Sequence, residues 1–295
     1  MNKISVFGNF YIPDQERLEK LKISFESFYK VNIENWVINI RGAKKNEAHN
    51  YLKKKLNRAK VNFFFIETKK GWLHDSLQIS TYLKSKFIFF WVEDHICVGG
   101  NEYFNKVIRS AYANNLDYIP YSWFFFGNNL KFFEDYNYSY DKNILFGNYT
   151  KNDHKKRIDY VKNNKSICDI FIISCCSIIK KKIFVQLLAR KDKFFPKWDK
   201  MLPFNFEKTQ NDTHWLPYRV GILKRELFAS IDDDLGVKNY SLASRGFFKK
   251  MRIITKNKII KQKNVNKNIS YSTHIKIFLK KLLNYISVYI FLISK

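Results

Sequence analysis

The run "KFIFFWVEDHICVGG" (86–100) holds six bulky apolar residues, Phe87 to Val92, followed at once by Glu93, Asp94 and His95. An apolar run without alternation reads as a strand covered on both faces. Three ionisable side chains are therefore delivered together at a strand end. Carboxylate oxygens suit Mg2+ or Mn2+, and an imidazole beside them tilts the preference towards Mn2+. A cation held there would neutralise phosphate charge, such as the charge that grows on a departing nucleoside diphosphate. Glu93, Asp94 and His95 are accordingly candidate metal ligands, expected to protrude from the sheet rim into an open cleft. Three polar residues ending a strand are also ordinary, so position has to supply the specificity.

The elements that would position them follow from periodicity. Ile4–Phe10 reads as a strand. Pro13-Asp14 then opens a helix, with Asp14 as N-cap and Leu18, Leu21, Phe25 and Phe28 on one face. Trp36–Ile40 is a second strand, and Arg41-Gly42 turns out of it. Ala48, Leu52 and Leu56 mark a second helix, Val61–Ile66 a third strand, Gly71–Lys84 a third helix and Phe87–Val92 the fourth strand. Such alternation predicts a mostly parallel sheet with right-handed crossovers and helices on both faces. Ligands of open α/β sheets sit at the carboxyl ends of the strands, where Glu93-Asp94-His95 falls. Further on, 101–114 reads as a helix and 117–126 as a strand. Residues 127–165 read as a long irregular excursion, 168–175 as a strand, 180–190 as a helix and 226–236 as a strand ending in three aspartates. His74 and Asp75 are expected on an exposed helix face.

Composition sets the outer bounds. The chain has 295 residues, 46% hydrophobic and 18% aromatic, enough for a real core. Its net charge of +27 calls for a polyanionic partner or reflects Lys-rich coding. Lys predominates over Arg, whereas forked Arg contacts are what specific phosphate recognition favours. The four cysteines, Cys97, Cys168, Cys175 and Cys176, have neither metal-site nor redox spacing, and read as buried thiols in a reducing cytosol. The opening "MNKISVFGNF" reads as the start of the fold rather than a signal peptide. Beyond Gly246 the chain turns basic and low in complexity. Its last apolar run, Leu282 to Ser294, is shorter than the ~20 residues that span a bilayer. An amphipathic segment on an anionic membrane surface, flanked by Lys276, Lys280 and Lys281, is the reading; docking on its own core is the alternative.

Over residues 3–246 the sequence resembles a glycosyltransferase of the GT-A fold, closest to the family 2 type. "ISVFGNFYIPDQERLEKLKISFESFYKVNIENWVINI" has the family's strand–helix–strand spacing. "GWLHDSLQISTYLKSKFIFFWVEDH" matches its Gly-opened helix and the apolar strand ending in a D-x-D motif, with Glu93-Asp94-His95 in the motif's place. A D-x-H form occurs in the polypeptide N-acetylgalactosaminyltransferases. The resemblance implies that Glu93 contacts the donor ribose and that His95, with Asp94, holds the metal. It assigns Phe7, Gly8, Asn9, Arg41 and Gly71 to the nucleotide side of the site. "FIISCCSIIKKKIF" resembles the family's later strand, small-residue turn and helix. "NDTHWLPYRVG" is a loosened version of its acidic pair followed by Trp/Leu and Arg, which makes Asp212 the general base with Glu207 as rival. An ordinary carboxylate pKa is adequate for that role. The family's acidic turn after the second strand is here "NIRGA", which puts the donor base in doubt, with UDP favoured. Trp215 could stack on a sugar ring beside His214, or both could be core. Asp232 and Asp233 are acceptor candidates or part of a solvated turn, and Arg245 is a diphosphate grip or a cap on the sheet.

The fold expected is a GT-A-like α/β domain over 1–248, with a nucleotide-binding half (1–100) and an acceptor half (101–248), followed by a basic tail (249–295). The function expected is metal-dependent, inverting transfer from a nucleotide sugar to a bacterial surface glycan or lipid-linked precursor, at the inner face of the cytoplasmic membrane. Two rivals stand: a polyanion-binding protein and an inactive transferase-like subunit. Against the first, the sequence holds no helix-turn-helix, zinc-finger or RNA-recognition pattern, so no specific nucleic-acid partner is expected.

Overall fold

The computed structural model describes residues 2–120, 139–150, 152–153, 155–156, 159, 176–189, 218–232 and 241–246, within a compact unit, Met1–Met251. Glu207, Asp212, His214, Trp215, Asp233, the strand read at 168–175 and the basic tail lie outside these residues.

The first ninety residues alternate as their periodicity predicts: β1 (Ile4–Tyr11), α1 (Gln15–Phe28), β2 (Ile33–Arg41), α2 (Lys45–Lys55), β3 (Val61–Phe64), α3 (Trp72–Ser80) and β4 (Phe87–Phe90). Asp14 caps α1, its Oδ1 accepting from the Arg17 amide at 2.9 Å. Then follow β5 (His95–Cys97), α4 (Gly100–Ala113), β6 (Tyr118–Ile119), β7 (Ser139–Tyr140), β8 (Ile144–Tyr149), β9 (Ser177–Lys180), α5 (Lys181–Leu188), β10 (Tyr218–Leu223) and β11 (Phe228–Ser230).

Nine strands form one sheet in the order β3-β2-β1-β4-β9-β6-β10-β8-β7. Tracing direction through the pairings, β3, β2, β1, β4, β6, β10 and β7 run one way, and β9 and β8 run against them. This is an α/β, Rossmann-like architecture with a mostly parallel sheet. Successive strand residues enter two separate cores. Phe87, Phe89 and Trp91 pack with residues of α1, α2 and α4, while Ile88 and Phe90 pack with residues of α3 and α5. Helices thus cover both faces, which is why β4 has no polar alternation.

Three readings are corrected. Within 127–165, read as irregular, β7 and β8 form an antiparallel pair on the sheet edge. Ser177–Lys180, which begins after the strand read at 168–175 and runs into the start of the helix read at 180–190, instead forms β9, an antiparallel strand between β4 and β6. Within the described part of the strand read at 226–236, residues 226–232, the strand is Phe228–Ser230, and it leaves the main sheet to pair with β5. Strands of two to six residues carry little readable period, and pairing partners distant in sequence decide them. Cys97 and Cys176 are buried free thiols, and burial pushes Cys97 up to about 12.

Candidate active site

The chain runs from β1 out to β2 and β3, then returns to place β4 on the other side of β1. The strand order therefore reverses between β1 and β4, and a crevice at the carboxyl ends of those two strands is the general ligand site of open α/β sheets. Glu93, Asp94 and His95 follow β4 at this point. Their backbone is anchored from the core: the buried Trp91 donates from Nε1 to Ser24 Oγ at 2.8 Å, and Ser24 Oγ in turn donates to the His95 carbonyl. The amide of Ile231, following β11, donates to the Asp94 carbonyl at 2.8 Å.

Only Ile12, Pro13 and Asp14 separate β1 from α1, so the first turn of α1 stands over the same crevice. It brings Arg17, whose Nη1 lies 2.8 Å from Asp94 Oδ2 and 3.3 Å from Glu93 Oε1. Asp94 Oδ1 faces His95 Nδ1 at 2.6 Å, so both its oxygens are engaged. One turn further, Lys20 Nζ lies 2.7 Å from Asp232 and 2.9 Å from Glu16. Helix, strand end and the β11 exit are thereby joined by one ionic network.

Burial separates the two neighbouring carboxylates. It pushes Glu93 up, because desolvation outweighs the attraction of Arg17 and Asp94 adds repulsion. Burial acts the same way on Asp94, yet His95 and Arg17 outweigh it and hold Asp94 well below the usual range. Burial by itself would lower Arg17, but Glu93 and Asp94 raise it, so the guanidinium stays charged.

The expected open protrusion is not what the structure shows. Glu93 and His95 are 9% and 6% exposed, because β5 pairs with β11 and Arg17 covers the carboxylates; the Asp94 side chain keeps 21%. Among the described residues no group of three or more His, Cys, Asp and Glu side chains is arranged to hold a metal ion. Glu93, Asp94 and His95 come together as expected, but a divalent ion would need the position that Arg17 Nη1 already takes. As arranged, they do not fit a resident cation.

The other candidates divide. Phe7 is wholly buried against Phe184, ring centroids 4.9 Å apart, and Gly8 makes room for the ring of Phe10. Asn9 fastens three elements: Nδ2 donates to Ser76 Oγ at 2.8 Å, Oδ1 accepts from Asn39 at 3.0 Å, and its carbonyl accepts from Trp72 Nε1 at 3.1 Å. Arg41 ends β2 at the crevice side but is 1% exposed, its guanidinium 5.8 Å from the Tyr11 ring centre. Burial lowers it, with Glu67, Asp75 and Glu93 acting against that. Gly71 caps α3 at φ 90, a conformation that favours glycine. Asp75, expected on an exposed face, is instead buried and accepts from the Thr68 amide at 3.0 Å, because residues 68–71 fold back over it; His74 is partly exposed. Asp232 is committed to Lys20. Arg245 makes two hydrogen bonds to Glu226, at 2.8 and 2.9 Å.

Arg17, Lys20 and Ser24 were not singled out from the sequence. A signal was present: they recur at i, i+3 and i+7 beside the apolar stripe of α1, where Lys20 and Ser24 are buried.

No family model matches the chain, and no curated protein does. Among solved structures it is similar to S. aureus TarS 1-349, at 11% identity and a TM-score of 0.45, over 77% of this chain and 59% of that one. It is similar to the same TarS segment in complex with UDP-GlcNAc, at 11% identity and a TM-score of 0.46, over 77% and 57%. It is also similar to the inositol-1-phosphate CTP transferase from T. maritima, at 10% identity and a TM-score of 0.43, over 85% and 98%. The chain thus spans less than two thirds of the TarS segment.

Proposed function

We propose that the chain is a glycosyltransferase that takes a sugar from a nucleotide-sugar donor, UDP being the favoured nucleotide. One observation carries the reading: the charged cluster of Arg17, Glu93, Asp94 and His95 stands at the strand-order reversal between β1 and β4, where an α/β sheet of this class binds nucleotides. The acceptor is a bacterial surface glycan or its lipid-linked precursor. Transfer is inverting: Asp212, or Glu207 in its place, takes the acceptor proton, and the hydroxyl attacks the anomeric carbon in line. Asp233, His214 and Trp215 line the acceptor side. The basic tail concentrates the protein on an anionic membrane surface at the cytoplasmic face. Among the described residues, no helix is long and apolar enough to cross a membrane.

A thermal-shift screen of nucleotide sugars and nucleoside triphosphates, each with and without Mn2+, tests this. A ligand that binds only the folded chain raises its melting temperature by mass action. A UDP-sugar hit followed by release of UDP on incubation with glycan acceptors is the expected result. A response to nucleoside triphosphates alone would move the reading to nucleotidyl transfer, and a silent panel would remove the donor assignment.

A further inference from the structure

The cluster at the crevice contains a cation of its own, and its geometry is that of a bridge. Arg17 uses Nη1 for both Glu93 and Asp94; among the described residues, Nε and Nη2 donate to nothing. Its side chain is 29% exposed, whereas Lys20, one turn deeper, is 6% exposed and committed to Glu16 and Asp232. The guanidinium is thus pinned along one edge by two carboxylates, with donors to spare on the rest of its fork. A planar fork of this kind matches phosphate oxygens in pairs. A divalent ion on the same carboxylates would stand where Nη1 stands, so the two cations are alternative occupants.

We propose that Arg17 takes the place of a divalent cation as the catalytic positive charge on the donor diphosphate. The inference rests on the donor reading above. When the bond between the anomeric carbon and the β-phosphate oxygen breaks, its electron pair goes to that oxygen, and Nε and Nη2 of Arg17 donate to the diphosphate that carries the new charge. The acceptor oxygen forms the new bond to the anomeric carbon, and its proton passes to the base. Glu93 and Asp94 then hold the guanidinium in position rather than holding a metal.

Isothermal titration of the full chain with UDP, CDP, GDP and ADP, first in EDTA and then in MnCl2, tests the proposal. One diphosphate is expected to bind in EDTA, with an affinity that Mn2+ leaves unchanged. Arg17→Ala should weaken it about 10- to 100-fold, the scale of charge-assisted hydrogen bonds. Mn2+ should then recover part of the loss, because the vacated position is open to the ion; a merely structural residue would show no such rescue. If Arg17→Ala does not fold, Arg17→Lys decides, since it keeps the ion pairs and loses the fork. Weaker diphosphate binding at an unchanged melting temperature supports the proposal, and unchanged affinity overturns it. Binding by the parent only in Mn2+ overturns the role of Arg17 while the donor reading survives. No binding of any diphosphate in either buffer overturns both.

Discussion

Asp94 and Glu93 are neighbours in sequence with opposite environments, and their variants should behave oppositely. Asp94→Asn leaves Arg17 with Glu93 alone and weakens the contact with His95 Nδ1, so it should cost about 2–3 kcal/mol in urea unfolding, on the scale of broken buried pairs. Glu93→Gln removes a carboxylate that burial already disfavours and should be neutral or stabilising at pH 7. The signs with pH follow from linkage. Asp94 is depressed in the fold, so its stabilisation is present above the unfolded value of about 3.9 and is lost as pH falls towards its lower folded value. Glu93 is raised, so its contribution is complete below about 4.3 and is lost as pH rises through its folded value. Any gain of Glu93→Gln over the parent should therefore shrink in unfolding curves taken near pH 4. A gain that persists there would contradict the assignment of burial as the cause. The residue types at 93–95 were readable from sequence; their protonation was not, because Arg17 and the burial that set it come from elsewhere in the fold.

Among the elements, the turn after β2 decides how the crevice is closed. Gly42 has φ +92, and a Cβ there would lie 2.6 Å from the Ile12 carbonyl oxygen. The Ile12 amide donates to the Arg41 carbonyl at 2.9 Å, tying the exit of β1 to the end of β2. Gly42→Ala should destabilise by about 1–3 kcal/mol through backbone strain and clash. At the start of α1, Asp14→Ala removes the cap and should cost about 1 kcal/mol. Thermal unfolding ranks the two, and an effect of Asp14→Ala above that of Gly42→Ala would be unexpected. The cap was legible because Pro-Asp before an apolar stripe is a local signal. The strand β9 was not, since a four-residue Ser-Ile-Ile-Lys segment becomes a strand only against Phe87–Phe90.

At the scale of the molecule, the +27 charge coexists, among the described residues, with buried and partly buried acidic groups held by cations: Glu93 and Asp94 with Arg17, Asp232 with Lys20, Glu226 with Arg245. The surplus of cations predicts retention on heparin or nucleic acid that salt removes steeply, as for any non-specific polyelectrolyte contact. Anionic vesicles should retain the full chain in a manner that depends on residues 275–295; a chain ending at 274 that binds equally well would remove the tail from that role. The sequence alone determined the alternating elements of the first ninety residues, the α1 cap and the delivery of three ionisable residues at the end of β4. Those features are written within windows of a dozen residues, as periodicity and capping chemistry. Only the tertiary structure decided that Arg17 meets Asp94, 77 positions away, and that Lys20 meets Asp232, 212 positions away. Such pairs arise where the chain crosses back over β1, and their strength depends on how much water the crossing excludes, which no local pattern records.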